Sequence, residues 1–340
     1  LPNMIQAENA ANRDTSDAPL WLITACADLV RAEGDEPFID SDCGGRSMRQ
    51  IFLSIGQSII AGTPNGVHMD PESGLIFSPT HFSWMDTNHP AGTPRQGYPI
   101  EIQALWHAAL CFLSKIDPAE TINAWQRLAQ QVQDSILKYF WQPDLGYLSD
   151  CLHAAAAGLP AKDATADDAL RPNQLLAITL GAIKEPQKCK HILAACQELL
   201  VPGAIRSLAD RPVRHRIEIH HHGKLINDPH HPYQGRYEGD EDTRRKPAYH
   251  NGTAWTWLFP SFAEAWAMTY GKESTDTALS WLTGSAPLIE HGCLGHVPEI
   301  LDGDYPHTAR GCDAQAWGAS ELLRVWLKLK NNSGIGEFRN

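Results

Sequence analysis

The sequence predicts an all-helical fold in which helical hairpins stack and close into a ring. About nine segments carry apolar residues at helical spacing. Clusters of Pro and Gly separate them, at 62–66, 90–97, 158–160 and 202–203. Extended pieces are short, at 74–77, 146–148 and 205–208, and nothing alternates for long enough to predict a sheet. No repeat of about 34 or 40 residues is visible, which argues against a simple solenoid.

The first predicted helix runs from Asp17 to Ala32, with Ser16 or Asp17 placed to cap it. Its helical period rests on Leu20, Trp21, Ile23, Leu29 and Val30. The remaining predicted helices span residues 47–61, 99–114, 118–139, 172–183, 186–200, 252–270, 274–289 and 314–330. We expect a single domain over 1–330 and a tail at 331–340, with a His-rich insertion at about 211–231.

Charge and hydropathy exclude several classes of function. The 340 residues carry 28 Lys and Arg against 40 Asp and Glu, a net charge of −12 that opposes binding to nucleic acid. No run of 18 apolar residues predicts a membrane span. The eight cysteines form no C-x-x-C pair, which favours reduced thiols in a cytoplasmic enzyme. Eleven Trp and eight Tyr in a chain of mean hydropathy −0.32 favour carbohydrate binding, although most Trp are simply core.

The first chemical cluster is Ser83-Trp84-Met85-Asp86-Thr87, followed by residues 93–106. Asp86 follows a Trp in a predicted loop, so we expect apolar surroundings for its carboxyl group. Such surroundings raise the pKa of a carboxyl group, as a general acid requires near neutral pH. A plain Asx turn or N-cap is the alternative.

The second cluster is a rigid acidic loop between Gly and Pro residues, at 292–307, which leads into 311–317. One carboxylate among Glu299, Asp302 and Asp304 could activate water, while the other two bind sugar hydroxyls or a cation. A solvated acidic turn is the alternative. Asp302-Gly303-Asp304 resembles half a calcium loop, but the later ligands of that pattern are missing.

A polar and aromatic cluster at 247–257 suits a sugar ring. The histidines of 211–231 could bind a metal adventitiously, but no Cys pair or H-E-x-x-H accompanies them. They favour a flexible insertion, and neither a catalytic metal nor a cofactor is expected. Two acidic loops beside aromatics make two-carboxylate glycoside hydrolysis the best chemical class.

Eight stretches, in the same order, resemble motifs of the C-terminal amylo-α-1,6-glucosidase domain of glycogen debranching enzymes. They begin at Trp84, Thr93, Arg171, Arg206, Tyr233, Ala248, Glu299 and Gly311. The opening Leu1-Pro2-Asn3 and the stretch from Thr15 to Trp21 are also similar to this family. The resemblance covers nearly the whole chain.

The resemblance implies an (α/α)6 barrel and hydrolysis with inversion at the anomeric carbon of an α-glucan or oligosaccharide. Asp86 would be the general acid and Glu299 the general base, about 6.5–9.5 Å apart. The implied sugar-binding residues are Asp17, Trp84, Arg95, Arg171, Tyr249, His250, Trp255, Gln315 and Trp317.

Three departures from the family pattern stand out. Nothing matches its upstream W-G-R-D segment, so the first helices of the barrel are expected to be lacking. Gln103 replaces the usual Asn and Thr256 the usual Pro. The leading interpretation is an exo-acting α-1,6-glucosidase on glycogen branch stubs. The alternatives are a same-fold glucosidase for a small glucoside or disaccharide, and a non-catalytic glycan-binding remnant.

Overall fold

The computed structural model describes residues 2–3, 7–34, 37–87, 92–117 and 122–331. Outside these ranges lie Leu1 of the opening motif, part of the predicted cluster at 90–97, the start of the predicted helix at 118–139, and 332–340 of the predicted tail. The chain forms two compact units. The first comprises Leu1–Asp86, Arg95–Phe140 and Cys151–Ala166, and the second Thr87–Pro94, Trp141–Asp150 and Asp167–Asn340. The single domain expected over 1–330 stays a prediction.

Twelve α-helices occur within the described residues. They are α1 Ala18–Glu33, α2 Pro37–Asp40, α3 Met48–Ala61, α4 Ile100–Ile116, α5 Ile122–Tyr139, α6 Leu175–Thr179, α7 Pro186–Cys196, α8 Lys246–Tyr249, α9 Phe259–Tyr270, α10 Thr275–Leu282, α11 Ala286–Ile289 and α12 Ala316–Lys330. Each predicted helix has a counterpart. The helix predicted at 274–289 is divided into α10 and α11 by a 3₁₀ turn, and α2 and α8 are additional single turns.

The strands are two or three residues long and pair antiparallel. They are β1 His68–Met69, β2 Ile76–Phe77, β3 Gly97–Pro99, β4 Trp141–Gln142, β5 Tyr147–Leu148, β6 Cys151–His153, β7 Thr165–Ala166, β8 Leu200–Val201, β9 Ala204–Arg206, β10 His220–His221, β11 Lys224–Leu225, β12 Ala254–Trp255, β13 Ile300–Leu301 and β14 Ala309–Arg310. The expectation that no sheet forms was wrong, because strands this short show no alternation to detect.

In the first unit, α4 is the central helix and packs against α1, α3 and α5. Nearly all of its residues are buried. One of them is Gln103, whose side chain accepts from the N–H of Ile76 at 2.8 Å and donates to its carbonyl at 2.9 Å. This departure from the family pattern therefore fixes β2 against α4.

The start of α1 differs from the predicted capping. Asp17 occupies the N-cap position, but its side chain accepts no capping hydrogen bond. The hydroxyl of Thr15 accepts from the N–H of Ala18 at 3.1 Å and donates to the Asp17 carboxylate at 2.8 Å. Thr15 thus satisfies the helix terminus, and Asp17 is held by a neighbouring hydroxyl.

In the second unit, α9 packs against α6, α7, α10 and α12. Its fully buried Glu264 accepts from Arg324 at 2.7 Å and Lys328 at 2.8 Å, both on α12. A five-stranded sheet in the order β14-β13-β12-β9-β8 belongs to the same unit. This sheet carries the segment that ends at Glu299 directly before β13.

The helix predicted at 252–270 begins only at Phe259. Residues 254–255 form β12 and pair with β9 and β13. A short buried apolar run fits a helix and a strand equally well, and the pairing partners here come from distant parts of the chain.

The His-rich segment is packed rather than loosely attached. It carries the β10–β11 hairpin, and its Val213 and Ile217 join Ala169 and Leu208 in a buried cluster. The side chain of Tyr233 packs against this cluster. The expectation of a flexible insertion overlooked these apolar residues, which lie between the charged ones.

Candidate active site

In the first unit, Asp17 is a buried carboxyl of the candidate site whose pKa is raised. Only 9% of the residue is exposed. Burial raises its pKa to about 6, the negative charges of Glu101 and Asp86 act in the same direction, and the Thr15 hydrogen bond opposes them. Asp17 therefore lies close enough to Asp86 for the two charges to interact.

Asp86 and Trp84 have opposite environments. Trp84 is 7% exposed, whereas Asp86 is exposed. The sequence predicts apolar surroundings for Asp86, but the structure leaves Asp86 exposed and buries the carboxyl of Asp17 instead. The three residues from Ser83 to Met85 are buried, and Asp86, which follows them, is exposed.

Arg95 is occupied by a neighbouring carboxylate. Its two terminal nitrogens donate to the two Glu101 oxygens at 2.6 and 2.7 Å, and one also donates to Ser83 at 3.2 Å. Both charged partners are almost fully buried. Arg95 thus ties α4 to the loop that carries Trp84 and Asp86.

In the second unit, Glu299 is held by three donors. One carboxylate oxygen accepts from the Tyr249 hydroxyl at 2.5 Å and from Gln315 Nε2 at 3.0 Å. The other oxygen accepts from the backbone N–H of Cys312 at 3.0 Å. These three donors fix the orientation of the carboxyl group, and Glu299 as a residue is half-buried.

The backbone around Glu299 is equally fixed. Its N–H donates to Cys312, and its carbonyl accepts from the N–H of Thr256. The Thr256 hydroxyl donates to the Pro298 carbonyl at 2.7 Å. A proline at 256 could not donate through its backbone nitrogen, so this departure from the family pattern adds a hydrogen bond at Glu299. Gly311 has a positive φ of 69°, and a side chain there would collide with the Glu299 carboxylate.

Aromatic rings surround Tyr249. His250 stacks on Trp255 with an interplanar angle of 10°, and both rings contact Tyr249. The Trp255 indole donates to the Tyr249 carbonyl at 2.9 Å. The ring of Tyr237 lies 5.3 Å from that of Tyr249. His250 and Trp255 are buried and Tyr249 is half-buried, so the first two support the third.

Trp317 stacks on the buried Trp257, with ring centroids 3.9 Å apart and planes 18° apart. Trp317 lies on the first turn of α12 and is half-buried. Gln315 immediately precedes that helix, so the start of α12 supplies both residues. One face of the Trp317 ring is covered by Trp257.

Arg171 is surrounded by the protein's own acceptors. It is 2% exposed and donates to the carbonyls of Ser207 and His250 and to the side chain of Asn251. Asp150 lies 3.5 Å from its guanidinium. These contacts fix the backbone that carries Tyr249 and His250.

The structure thus brings Tyr249, Gln315 and Glu299 into direct contact in the second unit, and Asp17 and Asp86 into interaction in the first. Six of the nine predicted sugar-binding residues are at most 9% exposed; they are Asp17, Trp84, Arg95, Arg171, His250 and Trp255. Their sugar-binding roles stay predictions.

Sequence reasoning gave no site role to Glu101, Tyr237 or the backbone N–H of Cys312, and it considered Asn251 only as a polar head of the cluster at 247–257. Glu101 and Asn251 lie inside motifs that carry the family resemblance. The sequence shows that both residues are polar, but not that they bind Arg95 and Arg171. Tyr237 belongs to the motif that begins at Tyr233 and was not singled out. A backbone donor leaves no signal in the sequence at all.

The acidic loop is divided between structural roles. Asp302 is 2% exposed, and its two oxygens accept from the N–H of Tyr237 at 2.8 Å and from Arg310 at 3.1 Å. Asp304 accepts from the Tyr233 hydroxyl at 2.9 Å. Within the described ranges, no group of three or more His, Cys, Asp or Glu is arranged to hold a metal ion. Metal independence stays a prediction.

No helix in the described part of the chain is long and apolar enough to cross a membrane.

The sequence model of a family described as amylo-alpha-1,6-glucosidase matches residues 1–324. The glycogen debranching enzyme of Saccharomyces cerevisiae is 26% identical over 250 residues, which is 61% of this chain and 15% of that protein. The chain thus spans a small part of this relative's length.

Among solved structures, the chain resembles a rhamnosidase from Klebsiella oxytoca with a TM-score of 0.54 and 11% identity. The match covers 97% of this chain and 50% of that one. This likeness confirms the all-α, (α/α)6 fold class expected from the sequence. Neutral trehalase from Saccharomyces cerevisiae has a TM-score of 0.43 and 16% identity, over 68% of this chain and 38% of that one.

Proposed function

The chain belongs to the amylo-alpha-1,6-glucosidase family, and from this premise we propose that it releases glucose from α-1,6 branch stubs of glycogen or a related α-glucan, with inversion. The membership makes it a glycoside hydrolase of this type. The name of the yeast relative, glycogen debranching enzyme, supports the choice of substrate.

Glu299 is the proposed general base. The observation that carries this role is the set of three donors that hold its half-buried carboxyl group in one orientation. A base must be fixed relative to the water that it activates, because proton transfer depends on hydrogen-bond geometry. Gln315 Oε1 is buried and accepts no hydrogen bond from the described residues, so it is a second acceptor for that water or for a sugar hydroxyl.

Asp86 is the proposed general acid. It is exposed, as a group that must reach a substrate oxygen requires, and the buried Asp17 carboxyl lies within electrostatic reach. In the proposed reaction Asp86 protonates the departing glycosidic oxygen, and the bond from that oxygen to the anomeric carbon breaks. Water attacks the opposite face of the sugar while Glu299 takes its proton, giving β-glucose.

The cytoplasm is the proposed location. None of the eight cysteines forms a disulfide bond within the described residues, and the thiols of Cys43, Cys293 and Cys312 are exposed, which suits a reducing compartment. Fractionation of the source cells, followed by detection of the protein, tests this proposal. Recovery of the protein from the medium would contradict it.

The deciding experiment incubates the chain with phosphorylase limit dextrin that carries single α-1,6 glucosyl stubs. The anomeric protons of the released sugar are followed by NMR. Early β-glucose is the expected result. Early α-glucose would contradict inversion, and glucose released only from small glucosides would favour the alternative substrate class. Dextrin binding without turnover would favour a non-catalytic glycan-binding protein.

A further inference from the structure

An open groove of about 550 Å³ lies in the second unit. Its lining includes Asp210, Tyr233, Arg236, Glu238, Arg244 and Asp304. None of these side chains contributes to holding Glu299, so the groove is distinct from the base and its three donors.

The base of the groove is rigid. Tyr233 donates to Asp304, and the backbone N–H groups of Gly303 and Asp304 donate to the Gly235 carbonyl at 2.6 and 3.3 Å. A side chain at Gly235 would collide with both Tyr233 and Asp304. Tyr233 also packs on the buried cluster of the His-rich segment, whose His231 lies 3.0 Å from Asp210. The His-rich segment therefore supports one wall of the groove.

The groove is connected to the catalytic base through Tyr237. Arg236 and Glu238 line the groove, while the ring of the residue between them lies against Tyr249, which donates to Glu299. On the other side, the stretch from Glu299 through β13 leads to Asp304 at the groove. Two short stretches of chain thus connect the groove with Glu299, which is not itself among the residues that line the groove.

The charges of the groove favour a neutral ligand with many hydroxyl groups. Three carboxylates and two guanidinium groups line it, so an anion would meet a net negative surface. A sugar hydroxyl both donates and accepts, and can pair with a carboxylate and a guanidinium in turn. Arg244 is exposed, and its guanidinium makes no hydrogen bond or ion pair within the part of the chain that the structure describes.

We propose that this groove binds a linear α-glucan chain, the one that carries the branch to be removed. The inference rests on the proposed function and deepens it, because such a site selects a polymer rather than a small glucoside. Arg244 supplies hydrogen-bond donors to the glucan hydroxyls, and the carboxylates of Glu238 and Asp210 accept from them.

The test measures binding of maltoheptaose, a linear α-1,4 glucan without a branch, by calorimetry. The protein carries Glu299→Gln, so that no turnover interferes. Adding Arg244→Ala is expected to weaken maltoheptaose binding about tenfold or more, as for the loss of a charged donor. Adding Lys224→Ala instead, at an exposed position of the β10–β11 hairpin, is the matched control and should leave the Kd unchanged.

An unchanged Kd in the Arg244→Ala protein would overturn the inference, as would tighter binding of inorganic phosphate than of the glucan. The proposed function fails separately. If the unaltered protein releases no glucose from limit dextrin while maltoheptaose binding depends on Arg244, the proposed glucan site is supported and the proposed hydrolysis is refuted. If limit dextrin is hydrolysed while glucan binding is independent of Arg244, the proposed hydrolysis is supported and the proposed glucan site is refuted.

Discussion

The hydroxyl of Tyr249 donates to Glu299 Oε1 across 2.5 Å, and this contact joins the last residue of α8 to the acidic residue before β13. Hydrogen bonds to charged groups contribute about 1.5–3 kcal/mol. The backbone of Tyr249 is also fixed, because the Trp255 indole and the Thr253 hydroxyl donate to its carbonyl.

Tyr249→Phe is therefore expected to lower kcat/KM on limit dextrin by roughly 10- to 100-fold, because the proposed base Glu299 loses one of its three donors. Thermal unfolding should change little, since the ring contacts remain. Tyr270→Phe, at an exposed position at the end of α9, is the matched control and should retain full activity. Full activity in Tyr249→Phe would remove this residue from the positioning of Glu299.

Asp86→Asn and Glu299→Gln should each reduce hydrolysis by about two to four orders of magnitude, as expected when a general acid or base is lost. Circular dichroism should show both variants folded. Glu290→Gln, an exposed carboxylate of the second unit, provides the comparison. Near-normal turnover in either of the first two variants would refute the role assigned to that residue.

The buried carboxyl of Asp17 predicts a pH-dependent stability. Its pKa in the folded protein is about 6, raised by burial and by the charges of Glu101 and Asp86 above the ordinary 3.8. Between these values the folded state binds more protons than the unfolded state. The free energy of unfolding therefore falls as pH rises from about 4 to 6, by up to roughly 3 kcal/mol.

Asp17→Asn should remove this dependence, so the variant is more stable than the parent at pH 7 and about equal at pH 4. Urea unfolding at the two pH values checks the expectation. Asp14→Asn, at an exposed neighbouring position, should follow the parent. Equal destabilisation of Asp17→Asn at both pH values would show that the carboxyl is not held in this perturbed state.

Glu101→Gln should destabilise the protein by about 3–5 kcal/mol, because it leaves the Arg95 guanidinium buried without its carboxylate. Urea unfolding measures the loss. Asp40→Asn breaks the exposed pair with Arg49 in the same unit and should have a much smaller effect. Similar losses in the two variants would contradict the special role of the buried pair.

Chelation of metal ions should leave activity unchanged, because the proposed acid and base need none and no metal group occurs within the described residues. Turnover of limit dextrin before and after dialysis against EDTA provides the measurement. Activity that is lost and then restored by Ca²⁺ or Zn²⁺ would contradict the two-carboxylate mechanism.

The sequence by itself determined the helices and the order of the motifs. Local apolar spacing placed α1, α3, α4 and α12 within one or two residues, because an amphipathic helix of several turns repeats its signal. Motif order also singled out Glu299, Tyr249 and Gln315, which the structure brings into contact.

Only the tertiary structure decided which polar residues are buried and what they bind. Arg95 and Arg171 have the sequence character of ligand-binding residues, yet their partners are Glu101 and Asn251. Burial of Asp17, rather than Asp86, depends on residues far along the chain. Burial, pKa and pairing of two-residue strands are properties of neighbours in space, and these neighbours exist only once the chain has folded.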